Sequence, residues 1–338
     1  MKNWHPDKMI EKRGFLEQRA EVIRAVRHFF EKRNYLEVDT PALQISPGME
    51  PHLKAFKTEL ISADQQENHE MYLHTSPEFA MKKLLVAGLP KIFQICKVFR
   101  NAEGSSCHSP EFTMIEWYQA GMSYTELMDE TIDLIRSVQQ APFEWKGLVS
   151  NPHQEWQKIS VVEAFKEYAD IELESVLDDF NGFEAQAKGI GISSHDEDSW
   201  DDLFFRVFLE KIEPNLGHPV PTILYDYPVS MAALSRPKKE DPRFSERFEV
   251  YICGLELANA FGELTDASLQ KARFEDDMAL KQELYGERYP IDQDFLDALE
   301  FGMPEASGIA LGIDRLVMLC TGCKDINHVL TLPVSLGS

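Results

Sequence analysis

Between Lys91 and Tyr118 the chain reads as strand, polar loop, strand. A β-rich run from Lys91 ends at Arg100, residues 101–110 form a loop containing Gly104, Ser105 and Ser106, and Glu111-Phe-Thr-Met-Ile-Glu-Trp-Tyr118 is again strand by composition. A period of two puts Phe112, Met114, Glu116 and Tyr118 on one face of that second strand. Two aromatics beside a carboxylate make an odd core. Around this unit, Leu16, Ala20, Ile23, Val26 and Phe30 recur at steps of three and four, which predicts an amphipathic helix over 15–33. Tyr35 to Pro41 is extended, with Pro41 as a strand stop or edge, and helices are expected over 78–87 and 124–138. From Ala141 to about Pro221 the pattern is helical but irregular and reads as an insertion inside one domain, its acidic stretch 195–202 a solvated loop or helix start. Arg247 to Glu263 returns to strands, with a tight turn at Cys253-Gly254 that brings Glu249 and Glu256 near each other. Residues 308–322 read as a glycine-punctuated strand entering a helix. Strands in runs, separated by helices, imply an α+β fold: an antiparallel sheet flanked by helices in a single domain over 1–338.

The charge of this chain constrains its ligands. The formal net charge is −23, so the averaged field repels nucleic acid backbones and anionic membranes, and a nucleotide must bind in a local basic pocket. Broad tRNA or DNA binding is disfavoured. With 43% apolar and 27% charged residues the chain is not disordered or fibrous, and no apolar run approaches the roughly 20 residues of a bilayer helix. The polar opening segment lacks a signal-peptide stretch, so a cytoplasmic protein is expected. Its five cysteines are irregularly spaced, as suits reduced thiols; Cys320-Thr-Gly-Cys323 lacks the companions of a zinc site, and Gly322 is a helix-stop residue.

Three features together make an ATP site. Arg100 ends a strand at the mouth of the polar loop and His108 returns on its far side. Gly312 to Arg315 is a strand-to-helix junction that offers backbone approach and a guanidinium at the positive end of a helix. Glu249 and Glu256 are suited to share Mg²⁺ with phosphate oxygens. The chain has no GxxxxGK[ST] and no GxSxG, and Gly189-Ile-Gly191 has Ser194 where a dinucleotide fingerprint needs Gly.

These residues carry a resemblance. The segment Phe99 to Tyr118 resembles motif 2 of class II lysyl-tRNA synthetases, Gly308 to Arg315 resembles motif 3, and Tyr35 to Pro41 is similar to motif 1, the dimer-interface element. Thr75-Ser-Pro-Glu78 and Glu256 to Asp266 match the lysine-pocket segments, and the spacing between motifs is retained from about Phe15 to the last helix. The chain is most similar to the short lysyl-synthetase-like ligases that modify elongation factor P. True lysyl synthetases carry an anticodon-binding OB-fold ahead of the catalytic domain, and here the catalytic pattern begins near residue 15. Where true synthetases have Gly in motif 3, this chain has Ala310, as these ligases do; its methyl narrows the amino-acid pocket, in keeping with the family's preference for (R)-β-lysine over α-lysine.

The resemblance implies an ATP-dependent, Mg²⁺-assisted ligase that activates (R)-β-lysine, or lysine, as an adenylate. It then passes the aminoacyl group to a lysine ε-amine of translation elongation factor P, acting as a homodimer without tRNA. Arg100 and Arg315 are the implied catalytic residues, Arg100 bridging substrate carboxylate and α-phosphate while Arg315 and His108 hold the γ end. Phe112 stacks on adenine below Arg315, with Asn101, Ala102, Glu103, Ser109, Leu257 and Gly312 completing the nucleotide pocket. Glu249 and Glu256 carry the metal. Glu78 and Glu116 are assigned to the backbone-side amine, Glu263 with Tyr118 to the ε-ammonium, and Ser76, Pro77, Asn259, Phe261 and Ala310 to the walls. Two departures stand out. The family's Arg-Asn-Glu is Arg100-Asn101-Ala102 here, so Glu103 can replace the missing carboxylate only if the loop shifts. Strict alternation also puts Glu256 out of phase with Asn259, Phe261 and Glu263, so a bulge or twist near Ala258 is required if all face one site. A lysyl synthetase fragment that charges tRNA and a non-catalytic synthetase paralogue acting as a binding subunit are the alternative readings; the second fits poorly with Arg100, Arg315, Glu249 and Glu256 all being present.

Overall fold

The computed structural model describes residues 2–195 and 197–334. In chain order these form α1 (Pro6–Lys32), β1 (Leu36–Glu37), β2 (Leu43–Gln44), β3 (Phe56–Ile61), β4 (Asn68–Leu73), α2 (Glu78–Val86), β5 (Lys91–Phe99), β6 (Glu111–Ala120) and α3 (Tyr124–Val138). Next come β7 (Phe143–Trp145), β8 (Leu148–Ser150), β9 (Gln157–Ser160), α4 (Val161–Ala169), α5 (Phe180–Gly189), α6 (Trp200–Val207) and β10 (Thr222–Tyr225). The chain continues through β11 (Arg247–Ile252), β12 (Leu255–Gly262), α7 (Ala267–Tyr285), α8 (Gln293–Gly302), β13 (Ala306–Gly312), α9 (Ile313–Thr321) and α10 (Ile326–Val329).

Eight strands make one sheet in the order β1-β5-β6-β13-β12-β11-β10-β9. Its centre is antiparallel, as anticipated, and only the edge pairs β1–β5 and β9–β10 run parallel. One face is sealed by the main core, where Val26 and Phe30 of α1, Leu127 and Ile135 of α3, and Leu316 and Val317 of α9 meet Ile115, Trp117, Ile309 and Leu311. The other face is covered only at its two ends. At one end Ile92 and Tyr118 pack with Phe79 of α2, Phe274 of α7 and Phe295 of α8. At the opposite end Ile159, Leu224 and Tyr251 pack with Phe165 of α4, Phe183 of α5 and Phe204 of α6. The sheet between these clusters is left open, and the site forms there.

Several elements differ from their sequence expectation. α1 begins nine residues earlier than the apolar periodicity, because Pro6 and the His5 cap start it and the Lys8–Glu11 and Arg13–Glu17 pairs carry its exposed first turns. The extended stretch after Tyr35 contributes just Leu36 and Glu37 to the sheet. Residues 141–221 are not simply helical: they open with the β7–β8 hairpin and supply β9, an edge strand of the main sheet paired with β10. Within the acidic stretch, Ser199 caps α6 through a capping box with Asp202, so it is a helix start. Cys253 and Gly254 both take positive φ, 53° and 71°, and close the tight β11–β12 turn. Gly322 ends α9 in the left-handed conformation, as its helix-stop reading requires.

Candidate active site

Sheet register assembles the site. Glu249 on β11 lies opposite Asn259 on β12, Asn259 opposite Ala310 on β13, and Ala310 opposite Glu116 on β6, so residues from four strands form one row on the open face. The adjacent row runs Arg247, Phe261, Gly308 and Tyr118. Glu256 joins this face through a bulge: Val250 faces Ala258 while Tyr251 faces Glu256, leaving Leu257 as the extra residue. That is the irregularity which parity demanded. Gly308 is required by its neighbours, since a Cβ there would stand 2.2 Å from the Tyr118 ring and 2.6 Å from Glu263 Oε1.

These two rows, Glu249 excepted, line a cavity of about 820 Å³. Its carboxylate end is dry. Glu116, 1% exposed, accepts hydrogen bonds from Ser76 Oγ at 2.5 Å and Tyr118 Oη at 2.7 Å. Burial, with repulsion from Glu78, pushes its carboxyl up to about 8. Lys82 reaches in from α2, wholly buried, and ion-pairs with both Glu78 and Glu263. Burial alone would lower the Lys82 ammonium, but Glu263 and Glu78 hold it above its ordinary value. Burial pushes Glu263 up to about 7. Glu263 Oε1 accepts no hydrogen bond and lies beside Gly308, a buried acceptor suited to an ammonium donor.

The other end is basic and more open. The Arg100 guanidinium sits 5.2 Å above the Phe112 ring, and its shielded Nε has no acceptor. Arg315, in the first turn of α9, donates from Nη1 to the Glu256 carbonyl at 2.6 Å and from Nη2 to His108 Nε2 at 2.7 Å. Burial and then Arg315 lower the His108 imidazole, which therefore stays neutral and accepts that bond, while Nδ1 is 2.7 Å from Ser105 Oγ. Asp314, 1% exposed, locks the junction by accepting from the Thr113 amide at 2.6 Å and pairing with Arg19 of α1.

The cavity brings together Ser76, Glu78, Arg100, Glu103, His108, Ser109, Phe112, Glu116, Tyr118, Glu256, Leu257, Asn259, Phe261, Ala310, Gly312 and Arg315. Five expected residues do not line it. Asn101 and Ala102 are consumed by the loop: the Asn101 amide donates to Lys54 O at 2.6 Å, its Oδ1 accepts from the Ala102 amide, and Ala102 turns the chain at φ 60°. Glu103 lines the cavity without them. Pro77 ends instead on a small adjoining crevice, as the residue that caps α2. Glu263 is screened by Lys82 and Gly308, and Glu249 stands behind Glu256, accepting from Tyr227 Oη and Tyr251 Oη at 2.6 Å and Arg247 Nη2 at 2.7 Å. Among the described residues no group of three or more His, Cys, Asp or Glu is placed to hold a metal. Mg²⁺ that draws most of its ligands from phosphate and water needs fewer. Of the expected pair Glu256 alone faces the cavity, its carboxyl pushed up by burial and by Glu249, while both Glu249 oxygens are already engaged and fit a supporting position rather than a ligand.

Sequence reasoning missed Lys82, Glu50, Arg247 and Asp277, along with the walls at 197–205 and 277–284. Their roles depend on contacts between distant segments. Only the helix spacing of Glu78 and Lys82, four apart, was open to inspection in advance.

This fold and this two-ended cavity define a class II synthetase-type adenylating domain. Residues 8–335 match the family of class II tRNA synthetases (D, K and N), to which the chain belongs. It is 40% identical over 334 residues, 98% of each chain, to the elongation factor P--(R)-β-lysine ligase of Vibrio parahaemolyticus serotype O3:K6 (strain RIMD 2210633). Ligases of the same name from Vibrio atlanticus (strain LGP32) and Vibrio vulnificus (strain YJ016) are 39% and 38% identical over 332 residues, again 98% of each chain. Among the described residues no helix is long and apolar enough to cross a membrane.

Proposed function

We propose that the chain activates (R)-β-lysine with ATP and transfers it to a lysine ε-amine of elongation factor P. The observation that carries this reading is the single cavity with arginines at one end and three buried carboxylates at the other, which fits a substrate carrying one carboxylate and two ammonium groups. Arg100 would bridge that carboxylate and the α-phosphate. Its unpartnered Nε supports the role, because an orphaned guanidinium N–H calls for an anion. Arg315, tied to neutral His108, would hold the distal phosphates, and Phe112 would stack on the adenine. Glu256, backed by Glu249, would hold Mg²⁺, which when bound would neutralise phosphate charge. Glu78 and Glu116 would take the backbone-side ammonium. Glu263 Oε1, reached past Gly308 beside Tyr118, would take the distal one. The substrate carboxylate would then attack the α-phosphorus with pyrophosphate leaving, and the site contributes by neutralising and aligning two anions.

Cytoplasmic placement and a homodimer belong to the same proposal. Leu36 on edge strand β1 and Ile45 after β2 are 53% and 58% exposed, as a second copy would require. Intact-mass analysis of elongation factor P after incubation with the enzyme, ATP and either lysine isomer tests the function. One added β-lysyl mass supports it; unmodified factor together with lysine-charged tRNA would establish the synthetase reading instead.

A further inference from the structure

Along α7, Arg273, Asp277 and Lys281 stand four residues apart, a spacing that on a free helix makes a ladder of ion pairs. Here the fold diverts both cations. Arg273 Nη1 donates to the carbonyls of Ala232, Ala233 and Ser235 at 2.7, 3.2 and 2.7 Å. Lys281 Nζ, 1% exposed as a residue, donates to the carbonyls of Pro51 and Leu53 at 2.8 and 2.7 Å. Asp277 is left facing the cavity together with Glu50. One oxygen of each, Asp277 Oδ2 and Glu50 Oε2, is shut off from water with no hydrogen-bond donor.

Two carboxylates on a cavity wall with no ion-pair partner in contact oppose stability. The charged groups bearing on Asp277 are Glu50, Asp276 and Arg273; those bearing on Glu50 are Glu78, Arg100 and Lys281. Glu50 thus bears on Asp277 and on the two residues that would hold the amine and the carboxylate of the activated substrate, and all four line the same cavity. Burial, then Glu50 and Asp276, push Asp277 up to about 7. A carboxylate of that proton affinity, on the wall of the cavity that would hold the acyl adenylate, suits proton abstraction near neutral pH.

We infer that Asp277, seconded by Glu50, is the general base of the transfer half-reaction, taking a proton from the acceptor's protonated primary amine. This rests on the ligase reading above. The acceptor ammonium gives one N–H proton to Asp277 and becomes a nucleophilic amine. Its nitrogen attacks the carbonyl carbon of the mixed anhydride; the C–N bond forms, and the C–O bond to phosphorus then breaks with its electron pair leaving on AMP. The second proton passes from nitrogen to the released phosphate. No electron carrier is involved.

The test compares Asp277→Asn with the parent protein in two assays: β-lysine-dependent ATP–pyrophosphate exchange, and single-turnover transfer from preformed adenylate to elongation factor P. The expected result is a transfer-to-exchange ratio lowered about 10²-fold. The parent's transfer rate should rise with pH and level off above neutrality, and the variant's should keep rising as free amine accumulates. Hydroxylamine, neutral at neutral pH, needs no base, so both proteins should convert adenylate to hydroxamate at similar rates. A parent-like ratio in Asp277→Asn, or equal loss toward hydroxylamine and the protein acceptor, would overturn the inference. Absence of exchange or transfer in the parent itself would overturn the ligase reading instead, and this inference with it.

Discussion

The two ends of the cavity are built by different means. At the carboxylate end, sheet register and complete burial place Glu78, Glu116, Glu263 and Lys82, and hydrogen bonds or ion pairs join them before any ligand arrives. At the basic end, Arg100 and His108 flank a loop and Arg315 opens a helix, with Arg100 Nε still lacking an acceptor. On the proposed reading the first end would select a substrate by shape and charge set in the fold, and the second would be completed by the anion it binds.

If this contrast holds, truncation at the basic end removes chemistry while leaving the fold. Arg100→Ala should lower β-lysine-dependent pyrophosphate exchange by about 10³-fold with little change in melting temperature; near-normal exchange would remove Arg100 from the α-phosphate. Truncation at the dry end should instead damage the fold. Lys82→Met strands two buried carboxylates and should cost about 3–5 kcal/mol in urea unfolding, so an unaffected midpoint would break the contrast.

Proton linkage gives a finer probe of the dry end. Glu116 has its carboxyl raised from 4.5 to about 8, so the folded chain holds a proton there that the unfolded chain has lost. Its stabilising contribution is complete below the unfolded value and disappears as pH rises through about 8. Glu116→Gln should therefore gain stability relative to the parent between pH 6 and 8, by melting temperatures without ligand. Affinity for the diamine should rise over the same interval in the parent and less in the variant. The smallest change concerns Ala310, one methyl between Asn259 and Glu116. Ala310→Gly should shift the β-lysine to α-lysine ratio of kcat/KM by several-fold, about 1 kcal/mol.

Much of this site was legible in the sequence wherever one strand's period decided the matter. Alternation alone put Phe112, Met114, Glu116 and Tyr118 on the face that lines the cavity, and parity, once the resemblance set Glu256 on the same site as Asn259, required the bulge or twist that returns it there. What depended on distant segments was not legible. Nothing local says that Arg273 and Lys281 will be drawn onto carbonyls of residues 232–235 and 51–53, or that Lys82 will occupy Glu263. The β3–β4 hairpin escaped notice because nearly all of β3 is exposed and shows no alternation. β9 was hidden in an irregular helical stretch because a four-residue edge strand has almost no periodicity to read.

Pyrophosphate exchange with (R)-β-lysine, α-lysine and norleucine as alternative substrates tests most directly whether the two ends act together. Exchange with the diamine acids and none above background with norleucine, which lacks the distal ammonium, is the predicted result. Exchange with norleucine matching that with β-lysine, or no exchange with any of the three, would contradict it.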